Sequence, residues 1–259
     1  MSNIFKKLSV FVNSCDDFED CWLPFFTLFA KNWNNCKFPI FLNTETKKFS
    51  YKHLEIISTK VSIGNKIKLS WSECLEFALN KVKTKYILYL QEDYFLEYPV
   101  KVRLIYKLIK VMQDENIDLI LLAKNDSIED NKFLYEVRRN ARFRISLQPG
   151  IWKVSYLKSI LRAHEDAWQF ESYASRRSHK SQDKIYTVNQ KFFDLKNMIY
   201  PYKKTGITAG KWMEHIVVPL FKKNSIYVDY SVRGFHTAND RNKKRKGILV
   251  RLWDKLRSF

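Results

Sequence analysis

Hydrophobic positions along the chain follow two alternating rhythms. Short, nearly unbroken apolar runs recur: LSVFVNS at 8–14, FPIFLNTE at 38–45, LEIIST at 54–59, YILYLQED at 86–93 and IDLILLA at 117–123. Runs of this length, rich in Ile, Val, Leu and Phe, predict strands buried on both faces. Between them the apolar spacing changes to threes and fours. Cys21, Trp22, Phe25, Leu28, Phe29 and Trp33 predict an amphipathic helix over 17–34. A second helix is expected from Ser70 to Val82, with Ser70 as N-cap and Glu73 three residues on. A third runs from Pro99 towards Asn116. Strands alternating with helices predict an α/β chain with a mostly parallel central sheet flanked by helices.

The second half is less regular. FRISLQPGIW (143–152) predicts a strand running into a turn at Pro149-Gly150, and a helix follows from Val154 to Arg162. Another helix is expected to end near Lys223, and SIYVDYSVRG (225–234) reads as a last strand. No repeat and no Gly/Ser-rich linker interrupts the chain. One domain is therefore expected over 1–238, with a tail over 239–259.

Composition narrows the class. The 259 residues are 46% hydrophobic and 15% aromatic, which excludes a disordered chain. The formal net charge of +19 attracts polyanions: nucleic acid, anionic membrane or phosphate-bearing small molecules. Cys15, Cys21, Cys36 and Cys74 form no CxxC pair, and they read as reduced, mostly buried thiols of a cytosolic protein. No secretory signal is visible, and no apolar stretch reaches the ~18 residues of a membrane span. The tail places the charge. A basic run, Arg241 and Lys243 to Lys246, precedes Ile248, Leu249, Leu252, Trp253, Leu256 and Phe259. That is a basic amphipathic C-terminal helix, suited either to an anionic membrane surface or to packing on the domain. The expected location is cytoplasmic, peripheral on the inner face of the cytoplasmic membrane.

Three predicted strands end in polar residues: Asn13-Ser14-Cys15-Asp16, Asn43-Thr44-Glu45 and Gln91-Glu92-Asp93. In parallel sheets, ligands bind beyond the carboxyl ends of the strands. Glu92 and Asp93 repel one another unless something positive lies between them. A divalent cation bridging a diphosphate would fill that role, and so would a turn amide or a lysine. A second acidic cluster, His164-Glu165-Asp166, precedes Trp168, Phe170 and Glu171. Rings beside carboxylates suit sugars, and a carboxylate there could act as general base; the alternative is acidic residues favouring a helix N-terminus. Arg176 and Arg177 lie in a polar segment and could clamp a diphosphate, or belong to a solvated charge run. Lys211 beside Trp212 offers a phosphate or acceptor contact, unless the ring is core.

Taken together, the order strand, helix, strand, helix, acidic strand end and downstream Glu-Asp resembles the GT-A glycosyltransferases. It is most similar to family-2-like bacterial enzymes of surface polysaccharide synthesis, of the lipopolysaccharide and capsule type. YILYLQEDYFL resembles the strand carrying the DxD motif. SLQPGIWKVSYLKSIL with HEDAWQFE resembles the acceptor side, and GITAGKW and SIYVDYSVRGF the C-terminal part. The likeness covers most of residues 8 to 235.

This resemblance implies a Rossmann-like fold, a nucleotide-sugar donor, a glycan or lipid-linked acceptor, and transfer with inversion. It implies that Asp93 binds a divalent metal, Mn²⁺ or Mg²⁺, and the donor phosphates, with Glu92 assisting or lying beside the ribose. Gln91 stands where DxD has its first aspartate, a departure from the motif. Asp166 matches the base of the Glu-Asp motif, with Glu165 its close rival, while Asn13, Ser14 and Asp16 fall near the nucleotide base. Two other classes stay open. One is a basic nucleic-acid-binding module, although no RNP-like segment, zinc finger or helix-turn-helix is visible and no nucleic-acid partner is expected. The other is an inactive glycosyltransferase-like assembly protein.

Overall fold

The computed structural model of the protein describes residues 7–64, 67–130, 132–203, 205–237 and 240. The expected tail over 239–259, with its amphipathic helix, lies outside them apart from Asp240. In chain order the strands are β1 (Leu8–Asn13), β2 (Ile40–Leu42), β3 (Ile56–Ser58), β4 (Tyr86–Gln91), β5 (Leu119–Leu121), β6 (Ser127–Ile128), β7 (Leu134–Val137), β8 (Gly150–Lys153) and β9 (Ile185–Val188). A separate hairpin pairs β10 (Ile207–Thr208) with β11 (Lys211–Trp212). The helices are α1 (Glu19–Asn32), α2 (Trp71–Lys81), α3 (Val102–Asp114), α4 (Val154–Ile160), α5 (Ala167–Ser178) and α6 (Glu214–Lys223).

β1 to β9 form one sheet in the order β3-β2-β1-β4-β8-β5-β9-β7-β6. Only β7 and β8 run against the rest. The α/β class and the mostly parallel sheet are as the sequence predicts. Side chains alternate across the sheet because successive Cβ atoms point to opposite faces. Leu8, Val10 and Val12 of β1, with Tyr86, Leu88 and Leu90 of β4, pack under α1, α3 and α6. Phe11, Ile87 and Tyr89 face the other way, towards α2, α4 and α5. The central strands are thus buried on both sides, which is why they read as continuous apolar runs. The capping box expected at α2 is present: Ser70 Oγ accepts from Glu73 N at 3.1 Å, and Glu73 returns a bond to Ser70 N.

The second half departs from expectation. In FRISLQPGIW the strand begins at Gly150, where a turn was expected, and 143–149 is irregular. There Arg144 is wholly buried and bonds Val137 O, Asp183 O and Asp183 Oδ1, so it anchors a loop to two other segments. SIYVDYSVRG is not a strand. Its alternation is real, since Ile226 is buried and Tyr227 is 89% exposed, but only Phe235 beyond it forms a β-bridge, to Trp212. All four cysteines are free. Cys21 is buried and the others are half-buried. Burial pushes the Cys15 and Cys36 thiols up to about 12 and Cys74 up to about 11, so these thiols stay protonated at neutral pH.

Candidate functional site

Strand register gathers the polar strand ends along one edge. Asn13 lies opposite Gln91, and Val12 opposite Leu42. Asn43 Nδ2 donates to Asn13 Oδ1 at 2.9 Å, and Thr59 Oγ1 donates to Asn43 Oδ1 at 2.9 Å. The Asp16 carboxylate accepts the amides of Glu45, Thr46 and Lys47. Ser14 Oγ accepts from Trp22 Nε1 at 2.8 Å. Asn13, Ser14 and Asp16 therefore sit together at this edge, and their side chains chiefly tie the ends of β1 and β2 to each other and to α1.

Glu92 and Asp93 follow β4 directly, and both are buried. Asp93 is 5% exposed. Its Oδ2 accepts Ile207 N at 3.1 Å, and its carbonyl accepts Gly206 N at 3.0 Å. Its Oδ1 has no hydrogen-bond partner among the described residues. Burial pushes both carboxyls well above the usual range. Repulsion from Asp93 adds to the shift at Glu92, while the amides of Ile207 and Gly206 oppose it at Asp93. The hairpin that supplies these amides is tightly specified. Ala209 and Gly210 both have positive φ, 53° and 79°, as a two-residue primed turn requires. A side chain at Gly206 would overlap the Phe95 ring, so only glycine brings that amide up to Asp93.

A cavity of about 220 Å³ opens against this carboxylate. Gln91, Asp93, Tyr94, Trp168, Glu171 and Thr208 are among its walls. Trp168 is 78% exposed on the first turn of α5, an unusual place for an indole with no packing duty. Glu171, one turn further on, is half-buried. Its Oε1 accepts Leu147 N at 2.7 Å and Ser146 Oγ at 3.1 Å. Its Oε2 makes no hydrogen bond among the described residues, and burial pushes the carboxyl upward. The fold thus brings together Asp93, Trp168 and Glu171 from two separate stretches of sequence.

Part of this chain path recurs in solved structures. S. aureus TarS 1-349 in complex with UDP-GlcNAc matches 71% of this chain and 56% of its own, at 14% identity and a TM-score of 0.48. M. tuberculosis glucosyl-3-phosphoglycerate synthase matches 87% of this chain and 83% of its own, at 10% identity and a TM-score of 0.49. A CMP:2-keto-3-deoxy-manno-octonic acid synthetase complexed with CTP matches 85% and 97%, at 14% identity and a TM-score of 0.46. The chain spans little more than half the length of the TarS 1-349 structures. No family model and no curated protein matches it. At these identities and scores, the chemistry of the site rests on this chain's own residues.

Several residues expected at the site are engaged elsewhere. Glu165 is 0% exposed, and its carboxylate takes two bonds from Arg177, whose Nη2 also donates to Ile160 O. That pair fastens α5 to α4. Arg177 is therefore an internal clamp rather than a loop arginine, and Glu165 has no place to receive a substrate proton. Asp166 is the N-cap of α5: its Oδ1 accepts Gln169 N at 2.8 Å in a capping box. It is exposed and precedes two residues of the cavity wall, Ala167 and Trp168. Arg176 is exposed above the Tyr173 ring on the same helix, with no clamp geometry. Trp212 is 0% exposed and packs among Phe95, Phe221 and Tyr230, so it is core and not an acceptor contact. Lys211 pairs with Asp240 at 2.9 Å.

Among the described residues, no three His, Cys, Asp or Glu side chains are grouped as metal ligands. A magnesium-type ion needs only one or two carboxylates when substrate phosphates and water complete its shell. The unpartnered Oδ1 of buried Asp93 fits that lesser requirement.

One residue has no signal in the sequence. Arg233 donates to Asp20 Oδ2 at 2.7 Å, to Gly210 O at 3.1 Å and to Asp17 O at 3.0 Å, and lies 4.6 Å from the Phe18 ring. It straps the hairpin to the start of α1 and so steadies the amides that hold Asp93. In the sequence it is a lone arginine at the end of what reads as a strand.

Proposed function

We propose that this chain is a glycosyltransferase that moves a sugar from a nucleotide-sugar donor to a glycan or glycolipid hydroxyl. The observation that carries this reading is the unpartnered Asp93 Oδ1, buried at the carboxyl end of β4 in a cavity shared with Trp168 and Glu171. A carboxylate kept dry without a cation is costly, so its retention fits a ligand that brings one. Asp93 would hold a divalent ion, Mn²⁺ or Mg²⁺, on the donor diphosphate, and that ion supplies the charge that stabilises the departing diphosphate.

The other roles belong to the chain itself. Trp168 offers a flat apolar face to a sugar ring. Ser146 and Leu147 fix one oxygen of Glu171, which leaves Oε2 to take the proton of the acceptor hydroxyl. Burial brings that carboxyl closer to neutral pH, as suits a general base. In this reading Glu171 takes the role that the resemblance gives to Asp166 or Glu165. The hydroxyl oxygen bonds to the anomeric carbon from the face opposite the diphosphate. The anomeric C–O bond to the diphosphate breaks and its electron pair leaves with the phosphate oxygen, giving inversion. An acceptor belonging to a bacterial surface polysaccharide is what the sequence resemblance implies, and its presentation at the cytoplasmic membrane face is supported by the basic, amphipathic sequence pattern of 239–259 alone. No helix of the described residues is long and apolar enough to cross a membrane.

The test is thermal unfolding with a panel of nucleoside diphosphates and nucleotide sugars, each with and without Mn²⁺ or Mg²⁺. A ligand at a hundred times its Kd stabilises by ~2.7 kcal/mol, a visible rise in midpoint. We expect one nucleotide class to raise it, and Asp93→Asn to abolish the metal-dependent part. Glu171→Gln should keep the shift and lower turnover by roughly 10²- to 10⁴-fold. No shift with any nucleotide would sink this function and return the chain to the nucleic-acid or assembly classes.

A further inference from the structure

A second cavity, of about 450 Å³, lies beside the first and shares Gln148, Trp168 and Glu171 with it. Its size falls in the range of small-molecule sites, roughly 300–1,000 Å³. Gln148 forms a fixed partition, since its Oε1 accepts the Tyr202 hydroxyl. Lys124, Arg142 and Phe143 add two cations and a second solvent-facing ring to that of Trp168. Asn125 Nδ2 donates to Phe143 O at 2.8 Å, which ties the loop after β5 to the loop before β8 and holds both cations on one cavity.

The wall carries two cations, Lys124 and Arg142, and two carboxylates, Asp126 and Glu171, and among the described residues the cations form no ion pair with either carboxylate. The carboxylate nearest them in sequence, Asp126, is occupied by Arg138 at 3.2 Å. The other carboxylate in the wall, Glu171, has one oxygen bound by Ser146 and Leu147.

We propose that this second cavity is the acceptor subsite and that it takes a phosphate-bearing sugar. The inference rests on the transferase reading, because an acceptor hydroxyl must reach Glu171 and both cavities share that residue. Two cations without an ion-pair partner, one of them a guanidinium fork held 5.1 Å over the Phe143 ring, match the several oxygens and the double charge of a phosphate better than a singly charged carboxylate. Trp168 supplies apolar surface for the ring that carries it, while Phe143 holds the Arg142 guanidinium.

The experiment uses the full chain labelled with 5-fluorotryptophan, with the Trp168 ¹⁹F resonance identified through Trp168→Phe. Glucose 6-phosphate, methyl glucoside, glucuronate and inorganic phosphate are titrated in turn. Glucose 6-phosphate is expected to move the Trp168 resonance with a Kd at least about tenfold below that of methyl glucoside. The variant Lys124→Ala/Arg142→Ala should erase that difference, leaving methyl glucoside binding and the nucleotide-induced midpoint rise unchanged. Both substitutions are at exposed positions, and the unliganded midpoint checks the fold. Tighter binding of glucuronate would overturn the phosphate assignment. Inorganic phosphate moving the Trp168 resonance with the same Kd as glucose 6-phosphate would reduce the site to an anion patch. Absence of glucose 6-phosphate binding while nucleotides still stabilise the chain would overturn this inference and leave the transferase standing. Loss of nucleotide stabilisation as well would remove both.

Discussion

Glu92-Asp93 and Glu165-Asp166 are both adjacent acid pairs beside aromatic residues, and on paper each could be the working pair. Their surroundings separate them. Glu165 is buried against a guanidinium that fills both of its oxygens, and Asp166 spends its carboxylate on the first turn of a helix. Glu92 and Asp93 are buried with each other, and Asp93 keeps an oxygen with no partner. A buried acid that has found its counter-charge is architecture. One that stays unmatched beside an open cavity is placed for a ligand.

The largest test of this contrast falls on the matched pair. Glu165→Ala strands the Arg177 guanidinium in a mostly buried position, and breaking a buried pair in this way costs ~3–5 kcal/mol. Denaturant unfolding at neutral pH should show that loss, and a loss below about 1 kcal/mol would break the distinction. Next comes the pair that holds the unpartnered Asp93 oxygen, through its pH dependence; the Arg233 charge and the Ser14 hydroxyl offset only part of the burial penalty on Glu92. Both carboxyls are raised, so the folded chain holds their protons to higher pH than the unfolded chain. Their contribution is full below the ordinary carboxylate range and is lost as pH rises towards neutral and mildly alkaline values. Glu92→Gln should therefore leave stability unchanged near about pH 4. At about pH 8 it should raise stability on the order of 2 kcal/mol, read as a flattened profile of midpoint against pH. The smallest effect is expected at Asp166→Ala, which removes a helix cap worth ~1 kcal/mol and should leave turnover within tenfold of native. If that variant is inactive while Glu171→Gln still turns over, the two carboxylates exchange roles.

The first half of the molecule is legible in its sequence because each element carries its own signal. β1 and β4 are buried on both faces and read as unbroken apolar runs, and α2 announces its start with Ser70 and Glu73. The second half depends on partners that periodicity cannot report. Residues 225–234 alternate like a strand because Ile226, Val228 and Tyr230 pack inward, yet no neighbouring backbone forms a ladder there. β7 and β9, unseen in the sequence, exist because such backbone is at hand: β9 lies between β5 and β7, and β7 between β9 and β6. The site follows the same rule. Asp93, Trp168 and Glu171 stand out as residue types in suggestive company. The commitment of Glu165 to Arg177, and the strap made by Arg233, depend on contacts between separate segments and have no local signature.

The cradle around Asp93 also has an order of assembly. The strand that presents this carboxylate is made early, but the amide that bonds it belongs to Ile207, 114 positions later, and the Gly206 amide beside it bonds the Asp93 backbone carbonyl. While the chain is being synthesised, at about 5–20 residues per second, the parallel half of the sheet can form some seconds before those amides leave the ribosome. A nascent chain that stops short of the hairpin can therefore own Trp168, Glu171 and most of the sheet while its Asp93 still lacks the amides that fix it, so that ligand binding reports arrival of the hairpin rather than formation of the sheet.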